Sequence, residues 1–210
     1  GMEVISPMEF IPLLEETGLI IPAGRFILKE AAKMCCEILQ FIPDFQMNIN
    51  VSYVQITQGS VEDDIIEVIK KYALDPASIC IEMTESGFID MTIPFIRFRH
   101  KLESNRIHFV IDDFGTGYSN LHCISDMNPD YIKIDRDFTA KAMDGQRDYE
   151  LFKNIITMIH SVNARICVEG IEQREWCQKM KKMGADLLQG YFYGKPCKKS
   201  DFITNYVRGN

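Results

Sequence analysis

The segment Val110-Ile111-Asp112-Asp113-Phe114-Gly115-Thr116-Gly117-Tyr118-Ser119-Asn120 joins a short apolar run to two adjacent carboxylates and a glycine-rich loop. Five other apolar runs of similar length occur along the chain, and segments of helical periodicity separate them. Short apolar strands that alternate with helices are typical of parallel sheets with helical crossovers. The sequence therefore predicts an α/β protein.

The predicted elements leave two architectures open. Six strands fit an open doubly wound sheet directly, whereas a closed (βα)8 barrel needs eight strands and typically about 250 residues. The predicted strands are Met47–Val51, Ile79–Met83, His108–Ile111, Tyr131–Ile134, Arg165–Val168 and Leu187–Gln189. The predicted helices begin with one that Ser6 caps and that ends near Thr17, followed by Pro22–Gln40, Val61–Tyr72, Ile93–Glu103, Arg147–Val162, Glu172–Met183 and Ser200–Val207.

Polar residues stand where each of the six predicted strands ends. A single polar residue there is more often a helix cap, a turn residue or a surface charge. Six successive strand ends with polar residues favour a shared site, because the carboxyl ends of parallel strands meet at one edge. The residues are Asn50, Glu82, Glu85, Asp112, Asp113, Lys133, Asp135, Glu169 and Gln189.

The residue types in this set favour metal-assisted phosphoryl chemistry. Carboxylate and amide oxygens are the ligands that Mg²⁺ and Mn²⁺ prefer. Asp112 and Asp113 are adjacent, so one carboxylate can bridge two ions about 3.5–4 Å apart, an arrangement that stabilises an in-line displacement. Lys133 is suited to hold a phosphate oxygen or a metal-bound water as a point charge.

The glycine-rich loop has a second interpretation, a dinucleotide-binding turn. The run Gly115–Asn120 nearly matches the pattern G-x-G-x-x-G, but its last position is Asn120. Asp112 and Asp113 would also repel a pyrophosphate in the absence of a cation. A nicotinamide-dependent dehydrogenase is therefore a remote alternative.

Composition excludes several function classes. The 210 residues are 46% hydrophobic and 25% charged, which excludes a disordered chain. The net charge is 23 − 30 = −7, so a fold-wide basic surface for duplex nucleic acid is absent. Seven cysteines without a C-x-x-C pair indicate reduced thiols, and no apolar run reaches the roughly 20 residues of a membrane span. We expect a cytoplasmic protein, or the cytoplasmic part of a larger membrane-anchored one.

Seven strings, six of which contain these polar residues, run in order along almost the whole chain. They are Ser6-Pro7-Met8-Glu9-Phe10-Ile11-Pro12, Asn50-Val51-Ser52, Ile81-Glu82-Met83-Thr84-Glu85, Asp112-Asp113-Phe114-Gly115-Thr116-Gly117-Tyr118-Ser119, Lys133-Ile134-Asp135, Glu169-Gly170-Ile171-Glu172 and Gln189-Gly190-Tyr191. With these strings the chain resembles the EAL-type phosphodiesterases of bacterial cyclic di-GMP signalling.

The resemblance implies a TIM-like (βα)8 barrel of EAL type that hydrolyses cyclic di-GMP to linear pGpG with Mg²⁺ or Mn²⁺ at a two-metal site. It implies that Lys133 acts on the nucleophilic water, that Glu85 tethers the loop Phe114–Asn120, and that copies form a homodimer through this loop. Asp135 and Gln189 match substrate-binding positions, and Lys133, Glu169, Gln189 and Glu85 match catalytic ones. The implied metal ligands are Asn50, Glu82, Asp112, Asp113 and Glu169.

One family motif is missing from the sequence. In the family, the Glu-Ala-Leu motif and its following arginine belong to a strand that should precede Ser6, and this sequence does not contain them. We therefore expect residues 1–210 to form a single EAL-type domain with about six βα units, incomplete at its N-terminus, with Gly1 as a tag remnant. Hydrolysis is then expected of the parent domain, and weak or no hydrolysis of this chain. The alternative is an inactive EAL-type domain that binds cyclic di-GMP or mediates dimerisation as a regulatory module.

Overall fold

The computed structural model of the chain describes residues 5–85, 91–116, 124 and 126–207. Strands alternate with helices along these residues, which confirms the predicted α/β class. All six predicted strands are present, with ends that differ from the predictions by at most three residues. The strands are β1 (Met47–Asn50), β2 (Ile79–Thr84), β3 (His108–Phe114), β4 (Tyr131–Ile134), β5 (Arg165–Val168) and β6 (Leu187–Leu188).

The order of the strands decides between the two architectures that the sequence left open. The strands are neighbours in the sheet in the same order as in the chain, from β1 to β6. The pairs β3–β4, β4–β5 and β5–β6 are parallel. In an open doubly wound sheet the order reverses at a switch point, whereas the order in a (βα)8 barrel is sequential. The structure therefore favours the TIM-like architecture.

The helices largely follow the predicted periodicity. The first begins where predicted, because Ser6 Oγ accepts a hydrogen bond from Met8 N–H and Pro7 occupies the first helical position. The described helices are α1 (Pro7–Glu16), α2 (Ile20–Leu39), α3 (Tyr53–Gln58), α4 (Val61–Lys71), α5 (Ile93–Ser104), α6 (Arg136–Asp144), α7 (Gln146–Ser161), α8 (Arg174–Met183) and α9 (Lys199–Phe202).

The described residues divide into two compact units. The first contains residues 5–81 and 91–107, and its core combines the fully buried Leu28 and Ile38 of α2 with Ile65 of α4 and with Phe95 and Phe98 of α5. Residues of α2, α4 and α5 therefore form the core of this unit, whereas α1 buries none of its residues.

The second unit contains residues 82–85 and the described residues from 108 onward. Its core combines β-strand residues, such as Phe109, Ile132 and Ile166, with Phe152 and Ile156 of α7. Every residue of β4 is buried, Lys133 included. A buried ammonium is costly unless polar or charged groups surround it, so the position of Lys133 already requires partners.

Two aspartates fix the amino-terminal ends of strands in the second unit. Asp130 Oδ2 accepts a hydrogen bond from Phe109 N–H at 2.8 Å. Asp186 Oδ2 accepts one from Ile166 N–H at 2.8 Å and lies 2.9 Å from His160 Nε2. These bonds satisfy N–H groups near the beginnings of β3 and β5.

The structure corrects the predicted boundaries at three places. β3 continues to Phe114, so Asp112 and Asp113 lie within the strand and do not follow it. The helices α3 and α6 were not predicted, because six and nine residues are too few for a clear apolar period. The predicted helix Ser200–Val207 is a short α-helix, α9, followed by a π-helical turn at Ile203–Val207.

Among the described residues, the longest helices are too short or too polar to cross a membrane.

Candidate metal centre

Lys133 lies at the centre of the carboxylate side chains that the second unit brings together. Its Nζ lies 3.3 Å from Glu82 Oε1 and 3.0 Å from Asp112 Oδ1. It also lies 2.8 Å from Glu169 Oε1. An ammonium has three donors, so the three carboxylates match its hydrogen-bonding capacity. The strand ends of β2, β3, β4 and β5 therefore contribute to one polar centre, as the sequence predicts.

Burial sets the protonation behaviour of this centre. Burial raises the pKa of the Glu82 carboxyl to about 6, although the charge of Lys133 acts in the opposite direction. Burial lowers the pKa of Lys133, but the charges of Glu82 and Asp112 and the hydrogen bond to Glu169 outweigh it, so that the net pKa is raised. Lys133 is therefore a cation at neutral pH, and it offsets part of the negative charge.

Three of the carboxylates form a second grouping, which we call the acidic trio: Asp112, Asp113 and Glu169. One oxygen atom from each lies within 4.8 Å of the other two. Oxygen ligands of one divalent ion lie about 2.0–2.6 Å from it, so two of them can be up to about 4–5 Å apart. The trio thus fits a hard cation in both spacing and donor type.

Burial raises the pKa of Asp113 and of Glu169. For Asp113 the charges of Asp112 and Asp135 add to this effect, whereas for Glu169 the hydrogen bond and charge of Lys133 oppose it. Carboxylates that repel one another in this way gain from a bound cation, because it removes the like-charge repulsion.

A strained turn at the end of β3 orients Asp113. Asp113 has φ +55°, a left-handed conformation that few non-glycine residues adopt. Asp112 Oδ1 accepts a hydrogen bond from Asp113 N–H at 3.0 Å, and Thr116 Oγ1 donates to the Asp113 carbonyl at 2.9 Å. Glu85 Oε2 accepts the N–H of Gly115 at 2.8 Å. Glu85 therefore holds the turn that carries Asp113.

Two glycines allow the loop that carries Glu169 to pack closely. A Cβ on Gly170 would lie 2.5 Å from the Arg136 Cβ, and a Cβ on Gly190 would lie 2.2 Å from the Ile171 carbonyl oxygen. Ile171 is fully buried and donates its N–H to the Gln189 carbonyl at 3.0 Å. Only glycine permits this approach of the two backbones.

Other predicted site residues are placed as follows. Gln189 is exposed directly after β6, and its own N–H donates to the Val168 carbonyl at 2.9 Å. Asp135 caps α6, because its Oδ1 accepts the N–H of Asp137 at 2.8 Å. Asn50 is the exposed last residue of β1, in the first unit. Residues 117–120 of the predicted dimerisation loop lie outside the described residues.

One residue near the centre was missed by the sequence reasoning. Cys167 of β5 is in register with Lys133 of β4, so the two side chains lie on the same face of the sheet. Burial raises the pKa of the Cys167 thiol to about 12, and the charge of Lys133 opposes this rise. Cys167 stands two residues before Glu169, so the period-two alternation of a strand could have indicated that both side chains lie on the same face. Six described cysteines are free thiols, Cys167 among them.

The fold and the site together define a class: a TIM-like α/β domain with an acidic centre formed by residues at or near the carboxyl ends of its strands. The chain belongs to the EAL domain family, because the model of this family matches residues 1–196. The family that the seven strings predicted is thereby confirmed.

Two relatives of known name are similar over nearly the whole chain. PdeL of Escherichia coli K12, a cyclic di-GMP phosphodiesterase, is 31% identical over 205 residues, which are 97% of this chain and 57% of PdeL. MucR of Pseudomonas aeruginosa, a bifunctional diguanylate cyclase/cyclic di-GMP phosphodiesterase, is 28% identical over 96% of this chain and 30% of MucR. The chain thus spans little more than half of PdeL and less than a third of MucR.

Solved structures confirm the TIM-like EAL fold. The EAL enzyme Bd1971 in its cAMP- and cyclic di-GMP-bound form superposes with a TM-score of 0.89 at 30% identity, over 96% of this chain and 56% of that one. The PaMucR phosphodiesterase in complex with cyclic di-GMP superposes with a TM-score of 0.85 at 28% identity, over 94% and 81% of the two chains.

Proposed function

We propose that the domain to which this chain belongs is a phosphodiesterase that hydrolyses cyclic di-GMP to linear pGpG with Mg²⁺ or Mn²⁺ at a two-metal site, and that this chain by itself hydrolyses it weakly. The observation that carries the proposal is the acidic trio beside Lys133 in a chain of the EAL family. The names of PdeL and MucR, and the cyclic di-GMP held by PaMucR, support the same substrate here.

The hydrolysis adds one water across a phosphodiester bond. The water oxygen forms a bond to phosphorus, the bond between phosphorus and the ribose O3′ breaks, and O3′ takes up a proton. Divalent cations held by the acidic trio and Glu82 would polarise the phosphoryl group and lower the pKa of the water. We assign to Lys133 the orientation of the attacking water, since its ammonium lies among these carboxylates, and a cation that binds them would release an N–H group of Lys133 for the water.

The remaining residues position these groups. We assign Glu85 to hold the Asp113 turn, because it accepts the N–H of Gly115. Asp135 has one carboxylate oxygen engaged in capping α6, which leaves the other for a substrate hydroxyl or base. The exposed Gln189 side chain is assigned to substrate as well.

Two further properties belong to the proposal. We propose that copies associate as a homodimer through the region of Phe114–Asn120, of which residues 114–116 are described. Light scattering with and without Mg²⁺ tests this, and a monomer at all concentrations would contradict it. The free thiols support a cytoplasmic setting, where such thiols stay reduced.

The test of the function is a direct assay of the product. Cyclic di-GMP is incubated with the chain and Mn²⁺ or Mg²⁺, and linear pGpG is separated by chromatography. Asp113→Asn removes one carboxylate of the trio, and we expect the rate to fall by about 10- to 100-fold, as when metal-site partners are lost. Lys141→Met, an exposed position of α6, serves as the matched control and should leave the rate unchanged.

Two outcomes separate the proposed enzyme from the regulatory alternative. Formation of pGpG that depends on the metal and on Asp113 supports the phosphodiesterase. Binding of cyclic di-GMP with no product under any metal condition would contradict it and favour a nucleotide-binding module. Calorimetry of the same samples measures that binding.

A further inference from the structure

The acidic trio draws its carboxylates from two strands that are not neighbours in the sheet. Asp113 lies near the end of β3 and Glu169 follows β5, and β4 lies between these two strands. The end of β4 is bonded to both sides, because Asp135 N–H donates to the Phe114 carbonyl at 3.3 Å and Glu169 N–H donates to the Ile134 carbonyl at 3.0 Å. The separation of the two ligand-bearing turns therefore depends on β4 and on the helix that follows it, α6.

The first turn of α6 contacts both of these turns. On one side, a Cβ on Gly170 would lie 2.5 Å from the Arg136 Cβ, so the loop after Glu169 packs directly on the start of the helix. On the other side, a Cβ on Gly115 would lie 3.5 Å from Phe138 Cγ, 3.7 Å from its Cδ1 and 3.8 Å from its Cβ. Three atoms of Phe138 thus face the turn at the end of β3.

The first turn of α6 is itself held in place. Asp135 Oδ1 accepts the N–H of Asp137 at 2.8 Å, and the fully buried Thr139 donates its hydroxyl to the Asp135 carbonyl at 3.1 Å. The Phe138 ring stacks on Phe152 of α7, with centroids 5.4 Å apart and planes inclined by 25°. Phe138 therefore lies between a core aromatic residue and the turn at the end of β3, where it can hold that turn in place.

We propose that Phe138 is a positioning residue of the metal site, which sets the distance between Asp113 and Glu169 by holding the turn at Gly115. The trio has little tolerance, since its oxygens lie within 4.8 Å of one another. Ligand oxygens lie about 2.0–2.6 Å from a divalent ion, so a displacement of about 1 Å takes a carboxylate out of reach. This inference rests on the metal-binding part of the proposed function.

The inference differs from a purely structural role in which atoms of Phe138 matter. A leucine keeps the Cβ, Cγ and Cδ1 that face Gly115 and loses the part of the ring that stacks on Phe152, whereas an alanine keeps only the Cβ. A structural role predicts a loss of stability in both variants and no change of metal affinity in the folded chain. A positioning role predicts that alanine weakens metal binding and that leucine preserves it. Both substitutions are uncharged, so the electrostatics of the site stay the same.

The experiment is a Mn²⁺ titration followed by electron paramagnetic resonance on Phe138→Ala, Phe138→Leu and the control Ile156→Ala. Ile156 is a fully buried residue of α7, and its Cγ2 lies 3.5 Å from the position of a Cβ on Gly184, in the turn that precedes β6. The control thus damages the core of the same unit at the opposite end of the strands. Competition with Mg²⁺ and Ca²⁺ gives the affinities of these ions, and urea unfolding without metal gives the stability of each variant.

We expect Phe138→Ala to bind Mn²⁺ about tenfold or more weakly than the unaltered chain, as when a residue that orients metal ligands is lost. Phe138→Leu and Ile156→Ala should keep the affinity within about threefold. Ile156→Ala should nevertheless lower the urea midpoint at least as much as Phe138→Ala does, because Ile156 is fully buried and Phe138 is half-buried. Phe138→Ala should also lose more affinity for Mg²⁺ than for Ca²⁺, because Mg²⁺ demands near-ideal octahedral geometry and Ca²⁺ does not.

The opposite results overturn the inference. If Phe138→Ala and Ile156→Ala bind Mn²⁺ equally well, or if Phe138→Leu binds it as weakly as Phe138→Ala, then Phe138 does not position the site, although the proposed function still stands. Equal losses of Mg²⁺ and Ca²⁺ affinity also contradict the inference. If an alanine variant does not fold, the valine variant at the same position takes its place, and the same comparison decides. If the unaltered chain binds no Mn²⁺, both the proposed function and the inference fail.

Discussion

Replacement of Gly190 by alanine tests whether the close approach of two loops is needed to hold the Glu169 segment. A Cβ at this position would lie 2.2 Å from the carbonyl oxygen of Ile171 and 2.3 Å from its nitrogen. Ordinary contacts between such atoms are about 3.5 Å or slightly less, so the overlap exceeds about 1 Å. Because both atoms belong to the backbone of a fully buried residue, rotation of a side chain cannot relieve the overlap.

The magnitude follows from the bonds that must open. Ile171 donates to the Gln189 carbonyl and accepts from Phe192 N–H, each at 3.0 Å. Moving the two loops apart breaks both bonds, at a net cost of about 1 kcal/mol each. Gly190 has φ +157°, and an alanine there adds backbone strain of about 1–2 kcal/mol. We expect Gly190→Ala to lower the free energy of unfolding by about 3–4 kcal/mol.

Gly184→Ala is the matched control in the same unit. Gly184 has φ +104°, so an alanine there suffers comparable backbone strain. Its Cβ would meet only ordinary contacts, the nearest being Ile156 Cγ2 at 3.5 Å. We therefore expect a loss of only about 1–2 kcal/mol.

The assay is urea unfolding followed by circular dichroism, with the Mn²⁺ affinity measured on the folded fraction. Gly190→Ala should lose at least about 1 kcal/mol more than Gly184→Ala and bind Mn²⁺ more weakly, because Glu169 lies two residues before Ile171. Equal losses for the two variants, with unchanged Mn²⁺ affinity, would refute the reasoning.

Two other contacts allow sharp predictions. Glu85→Ala removes the acceptor of the Gly115 N–H and should weaken Mn²⁺ binding, because the turn that carries Asp113 is no longer held. Glu85→Gln keeps an acceptor and should bind Mn²⁺ with nearly the same affinity as the unaltered chain. Calorimetry measures both affinities, and equal values for the two variants would contradict this role of Glu85. Burial raises the pKa of Asp186, but the hydrogen bonds from His160 and from the Ile166 N–H outweigh burial, so the net pKa is lowered. The Asp186 carboxylate therefore stabilises the fold above its ordinary pKa of about 3.9. This stabilisation is lost as the pH falls through the lowered pKa. Asp186→Asn should therefore lower the free energy of unfolding at pH 7 by about 1 kcal/mol or less, since the Asp186 side chain is one-third exposed. In urea unfolding, the difference between this variant and the unaltered chain should shrink below about pH 4. A difference that does not depend on pH would contradict this assignment.

The residues of the centre could be predicted from the sequence because parallel topology brings successive strand ends together. Once six apolar runs alternate with helices, the positions of Glu82, Asp112, Lys133 and Glu169 near one edge follow without knowledge of any distance. The open choice between two sheet architectures shows where this reasoning ends. Strand order depends on which strands pair, and pairing depends on tertiary contacts that a local pattern does not contain.

The conformations that make the site work could not be predicted in the same way. The residues around Asp113 do not indicate its left-handed conformation, because an aspartate adopts this strained geometry only when other contacts hold it. Here a distant residue, Glu85, holds the turn. Likewise, the sequence predicts Lys133 as a partner for substrate or water, whereas the structure shows it between three carboxylates. A lysine in an apolar strand has to satisfy its charge inside the protein before it meets any ligand. Glu82, Asp112 and Glu169 therefore stabilise the charge that β4 buries at Lys133, and no local pattern in the sequence indicates that they do so.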